Sequence, residues 1–126
     1  MSESDLRPPL AVAHIVLETD RMAQSAQFML SIGMRPIFQG EEVAVYELRG
    51  GTHLILMRKE AIQVGNAPFD LMVDDLLATH QHFTALGLVP SAIESRTAIG
   101  HQVFTVREPA GYIITFFSSH VSAQPV

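Results

Sequence analysis

One outline occurs twice in this chain. Asp20 precedes an apolar-periodic segment that stops at Gly33, and Asp74 precedes another that stops at Gly87; both intervals are 13 residues (33 − 20 and 87 − 74). Strand-like runs lead into the two acids, LAVAHIVLET before Asp20 and PFDLMV before Asp74. Each glycine is followed by one apolar residue, Met34 or Leu88, and then by three more strand-like stretches. Self-similarity of this kind constrains a fold more than any local propensity, because each copy must be the same supersecondary unit. The repeat predicts an α+β chain of two strand–helix–three-strand modules, the first over residues 10–59 and the second over 68–118, within one domain at 10–118.

Local signals fill in the units. In Leu10–Thr19 alternation puts Val12, His14, Val16 and Glu18 on one face and Ala11, Ala13, Ile15 and Leu17 on the other. Asp20 is the predicted N-cap of a helix whose Met22, Ala26, Met29 and Leu30 form one apolar stripe, and Gly33 ends it. Strands follow at Arg35–Gln39, Glu42–Leu48 and Thr52–Arg58. Pro36 sends the first of these to a sheet edge, and Gly50–Gly51 turns the second into the third. The second module reads as a strand at Phe69–Val73 and a helix capped by Asp74 or Asp75 with Leu76, Phe83 and Leu86 inward. Strands at Leu88–Ser95, Gly100–Arg107 and Tyr112–Ser118 complete it, the last two joined by a turn at Glu108–Gly111. Residues 1–9 and 119–126 read as tails, and Lys59–Ala67 as a polar link.

Composition narrows the function classes. Hydrophobic residues make up 48% and charged residues 17%, as in a globular chain. The absence of cysteine removes disulfides, thiolate nucleophiles and thiolate metal ligands, and fits a reducing, cytoplasmic setting. MSESDLRPPL carries acids where a secretory leader carries basic residues, and no apolar run approaches the roughly 20 residues of a membrane span. With a net charge of −5 and Arg58–Lys59 as the only adjacent basic pair, neither nucleic acid nor membrane is an expected partner. Phosphate-loop, G-x-S-x-G and HExxH motifs are missing.

GHQVFTVREPAGYIITFF at Gly100–Phe117, Val73-Asp74-Asp75 and the GGTHLILM hairpin resemble the vicinal-oxygen-chelate superfamily, which includes glyoxalases, extradiol dioxygenases and the fosfomycin and bleomycin resistance proteins. The family's turn is Asp-Pro-Asp-Gly, replaced here by Glu-Pro-Ala-Gly. The resemblance spans about residues 10–118. It implies two βαβββ modules whose curved mixed sheets enclose a cavity, in a homodimer that binds a small molecule. It also implies a metal held from the first and last strand of each module. Those positions fall on His14 and Ile55 in module one and on Pro68 and Thr115 in module two.

Only His14 of these four is a good ligand, and His53, two residues from Ile55, shares its strand face. Two imidazoles fall short of the three protein ligands of an open zinc site and of the two histidines and carboxylate of non-haem iron. Either histidine could equally be a core residue satisfied by one hydrogen bond. The expected ligand-binding set is therefore His14, His53, Ile55, Met57, His101, Thr115 and Phe117, with no cofactor and with His14 and His53 as the sole candidates for a divalent metal. Val12, Val16 and Ile113 would extend that pocket, mostly apolar with a few polar points. The expected function is small-molecule binding, such as sequestration of an antibiotic or aromatic compound. The alternative is a lyase, isomerase or dioxygenase built on His14 and His53. Arg107 beside Glu108 reads as a solvated charge, and His80 and His82, two apart on a helix, cannot form a pair.

Overall fold

The computed structural model describes residues 6–96, 98 and 101–118. Its first module comprises β1 (His14–Thr19), α1 (Met22–Ser31), β2 (Arg35–Gln39), β3 (Val43–Glu47) and β4 (His53–Arg58). The second comprises β5 (Asn66–Val73), α2 (Leu76–Ala85), β6 (Glu94–Arg96), β7 (His101–Arg107) and β8 (Ile113–Ser118). Two four-stranded mixed sheets result, in the orders β1-β4-β3-β2 and β5-β8-β7-β6, and they do not close into a barrel. In each sheet the first strand of the module runs parallel to the last, and the other pairings are antiparallel.

The repeat extends to the hydrogen-bond register. Val16 lies opposite Ile55 in the first sheet and Asp70 opposite Thr115 in the second. The partners are related by shifts of 54 (70 − 16) and 60 (115 − 55), the same shifts that carry Asp20 to Asp74 and Gly51 to Gly111. Gly33 and Gly87 end the two helices with φ of 113° and 85°, a conformation that costs a residue with a Cβ.

One face of each sheet carries the core. Leu17, Tyr46, Leu54 and Leu56 from the first sheet pack with Phe28 and Met29 of α1. Phe104, Ile114 and Phe116 from the second pack with Leu76 and Phe83 of α2, in the same continuous cluster. Phe83 meets the rings of Phe104 and Phe116 edge-on at 5.9 and 5.2 Å, an arrangement that suits the ring quadrupoles. The other face of each sheet is left open, and alternation puts His14, Val16, His53, Ile55 and Met57 on one and Thr115 and Phe117 on the other.

Several local expectations are corrected. Asp20 does not cap α1: the N-cap position is Arg21 without a side-chain cap, and the Arg21 N–H donates to Thr19 Oγ1 at 3.1 Å. Asp20 instead pairs with the neighbouring Arg21 side chain. In the second module Asp75 is the cap, accepting from the Ala78 N–H at 2.9 Å, while Asp74 pairs with Arg49. The first strand begins at His14, so Val12 lies before it and is 61% exposed. β5 begins at Asn66 and runs through Pro68, tolerated because the register to β8 shifts between Asn66 and Asp70, where a missing N–H breaks no ladder bond. The strand expected at Leu88–Ser95 is reduced to the three-residue edge β6, as Pro90 cannot donate to a ladder. Leu86 is 47% exposed and leaves Leu76 and Phe83 as the buried side of α2. Gly100 and both ends of the chain, residues 1–5 and 119–126, lie outside the described residues.

Candidate functional site

On the open face of the first sheet, strand pairing sets four polar side chains in one row. His14 is opposite His53, His53 is opposite Glu47, and Glu47 is opposite Arg35. The imidazole rings are 6.0 Å apart, Glu47 Oε2 is 3.5 Å from His53 Nε2, and Arg35 is ion-paired with Glu47. A carboxylate therefore stands beside the histidines, where the sequence suggested none. Tyr46 and Glu47 alternate, and burial assigns Tyr46 to the core: it is 0% exposed, and its hydroxyl donates to Gln39 Oε1 at 3.0 Å. The next row on the same face is apolar, Val16–Ile55–Val45–Phe38, about 6.6 Å along the strands. Val16 and Phe38 are 43% and 58% exposed.

The donors that the resemblance assigns to a metal do not fit one. Isoleucine and proline offer no ligand atom, which leaves one imidazole and one hydroxyl from His14, Ile55, Pro68 and Thr115. Adding His53 and Glu47 does not help, since among the described residues no group of three His, Asp or Glu side chains is arranged to hold a metal ion.

The second sheet carries a cleft of about 570 Å³ on its open face. Asp70, Thr115 and Thr105 cross it in one row over β5, β8 and β7, with Phe117 in the next row and Asn66 and Arg96 at the margins. His101 buttresses Phe117, meeting its ring edge-on at 5.3 Å. Its Nδ1 lies 2.7 Å from the Ser118 carbonyl, which can only accept, so Nδ1 carries the proton. No residue of β1 or β4 lines this cleft. The residues expected in a single pocket are thus divided in one chain: His14, His53, Ile55 and Met57 belong to the first sheet, and His101, Thr115 and Phe117 to the second. Arg107 is exposed and donates to the Gly111 carbonyl, while His80 donates from Nε2 to the Ser91 carbonyl at 2.8 Å.

A third polar cluster lies between the modules. Glu108, read from the sequence as part of a surface turn, is 1% exposed. The Ser25 hydroxyl donates to its Oε2 at 2.5 Å, the Ala110 N–H donates to Oε1 at 2.5 Å, and the Thr19 hydroxyl lies 2.7 Å from Ser25 Oγ. Burial pushes the Glu108 carboxyl above the usual glutamate range, against the opposing pull of the Ser25 and backbone donors. The available signal was Ser25 itself, a polar residue on the apolar stripe of α1, which requires a buried partner.

The family model that matches residues 11–116 describes the Glyoxalase/Bleomycin resistance protein/Dioxygenase superfamily. Among curated proteins none matches. Among solved structures, lactoylglutathione lyase from Agrobacterium tumefaciens superposes with a TM-score of 0.74 at 19% identity, covering 90% of this chain and 96% of that one. The bleomycin resistance determinant encoded on transposon Tn5 gives 0.72 at 15% identity, over 89% and 100%. A genomically encoded fosfomycin resistance protein from Listeria monocytogenes gives 0.69 at 12% identity, over 84% and 89%. At such identities the likeness shows a shared fold.

Proposed function

The chain belongs to the Glyoxalase/Bleomycin resistance protein/Dioxygenase superfamily, and from that premise we propose that it binds a flat, partly aromatic small molecule without a complete metal site. The observation that carries this reading is the cleft over β8, where Phe117 offers a ring for stacking and Thr105 and Thr115 offer hydroxyls. Its size and mixed lining are those of a small-molecule site. Sequestration of an antibiotic or other aromatic compound is the role this chemistry serves, and two of the structural relatives are drug-resistance proteins by description.

The working form in this reading is a cytoplasmic homodimer. A second copy laid against the open face of the first sheet would cover Val16, Met57 and Phe38, and bring the imidazoles of one chain towards the Phe117 cleft of the other. Thr115→Phe fills the cleft. Titration with p-cresol, followed by protein chemical shifts, is expected to show binding to the wild type and none to Thr115→Phe, with unchanged circular dichroism. Equal binding to both proteins rules out the cleft, and loss of the native spectrum in the variant marks position 115 as core.

One contact favours a second reading, an enzyme of the lyase, isomerase or dioxygenase type. Glu47 at 3.5 Å from His53 Nε2 orients that ring, leaving Nδ1 as the acceptor for a substrate proton. A reaction that survives chelators and falls by at least about 100-fold in His53→Gln would promote it.

A further inference from the structure

The charges around the second-sheet cleft are unspent. Arg21, Arg35, Arg49, Arg58 and Lys59 are each ion-paired, and Arg107 donates to a carbonyl. The Arg96 side chain lines the cleft and makes no ion pair or hydrogen bond with any described residue. The Asp70 carboxylate, also on the lining, is equally without a partner among the described residues. The Thr105 and Thr115 side-chain hydroxyls accept and donate nothing within the described chain, although the Thr105 N–H is bonded to Ser91.

Strand register gives these groups an order. Arg96 on the β6 edge is opposite His101, two residues before the Val103–Phe117 row. Asp70 on β5 is in the Thr115–Thr105 row, two residues beyond that row and three strands across. A guanidinium and a carboxylate therefore stand at opposite corners of the cleft, with the Phe117 ring between them. They are too far apart across the sheet to neutralise each other, because adjacent strands are spaced by about 4.8 Å.

We propose that this cleft selects an amphoteric ligand: an anionic group taken by Arg96, a flat ring over Phe117, and a protonated amine taken by Asp70, with the threonine hydroxyls completing the polar contacts. A guanidinium is the side chain best shaped for a carboxylate, and an ammonium is the complementary partner for Asp70. Desolvating either charge without a partner is costly, so a ligand bearing only one of the two groups leaves the other protein charge to water alone. This assignment rests on the reading of the same cleft as the ligand site.

Four probes separate the two claims. 4-(Aminomethyl)benzoate carries both charges across one ring, 4-methylbenzoate carries the anion, benzylamine carries the cation, and p-cresol carries neither. Calorimetric titration at pH 7 is expected to rank the amphoteric probe about tenfold tighter than either singly charged one, the gain of one charge-assisted contact. Arg96→Gln should bring its affinity down to that of benzylamine, and Asp70→Asn to that of 4-methylbenzoate. Both side chains are on the surface, so both variants should fold. If p-cresol binds and the three charged probes bind alike, or if neither variant changes their ranking, the amphoteric assignment is overturned while the cleft remains a binding site. If none of the four binds, both readings fall.

Discussion

Glu108 shows how much a single buried side chain can ask of its surroundings. Its carboxylate satisfies Ser25 and Ala110 and is satisfied by them, so Glu108→Ala would leave the buried Ser25–Thr19 hydroxyl pair one acceptor short and the half-buried Ala110 N–H without its acceptor, at a cost of roughly 3 kcal/mol. Glu108→Gln keeps an acceptor oxygen and removes the charge. Because burial raises the folded-state pKa above the unfolded one, this group stabilises the protein fully below the unfolded value, about 4.3, and that contribution is lost as pH rises through the higher folded value. Burial, and after it the Glu18, Glu108 and Asp20 carboxylates, push the Tyr112 hydroxyl further up from a range that is already above this window. Melting temperatures of the wild type are therefore expected to fall relative to those of Glu108→Gln as pH rises from the unfolded value, about 4.3, towards neutrality. Parallel curves for the two proteins would mean that the carboxyl does not titrate in that range.

Helix entry separates the two modules at the scale of the element. Asp75 caps α2 through its side chain, whereas Arg21 takes the corresponding place before α1 without a side-chain cap, and Asp20, one residue earlier, holds only the exposed Arg21 side chain. Asp75→Ala is expected to cost about 1 kcal/mol and Asp20→Ala less than about 0.5 kcal/mol by urea denaturation. Comparable losses would show that Asp20 acts on the helix after all. The sequence pattern made the elements legible where periodicity is strong: Arg35–Gln39 has the expected bounds, and the glycine stops at Gly33 and Gly87 are where they were read. It misjudged places where one backbone donor decides, such as the Thr19 hydroxyl taking the Arg21 N–H, or the shifted register that admits Pro68 into β5. Site residues were harder still. Alternation assigned His14, His53, Thr115 and Phe117 to open faces, but a face says nothing about its neighbours. Glu47 beside His53, Asp70 beside Thr115 and Ser25 beneath Glu108 arise from cross-strand or inter-module contacts that local pattern does not encode.

At the scale of the whole molecule, the two modules share one core and, among the described residues, two polar side-chain cross-ties, the buried Ser25–Glu108 bond and the exposed Arg49–Asp74 pair. Of these the first dominates, since a solvent-exposed ion pair contributes little and fades with salt. The core faces are thereby used up within the chain, and the open faces are what remains for association. The first sheet offers an apolar band with Val16, Met57 and Phe38 each more than 40% exposed, and Ile37 on the bulge beside it is 55% exposed. A continuous band of that kind on a folded domain is costly to leave in water, at about 25 cal/mol per Å² of apolar area. The proposed homodimer would remove it from water, with the edge strand β2 at its rim. Phe38→Lys places a charge within the apolar band of such an interface and on the exterior of a monomer. Multi-angle light scattering at micromolar concentration is expected to give a dimer for the wild type and a folded monomer for Phe38→Lys. A wild-type monomer would refute the dimer directly. A dimer unaffected by the lysine would move the interface off this face, and with it the route by which His14 and His53 could reach the cleft of a second chain.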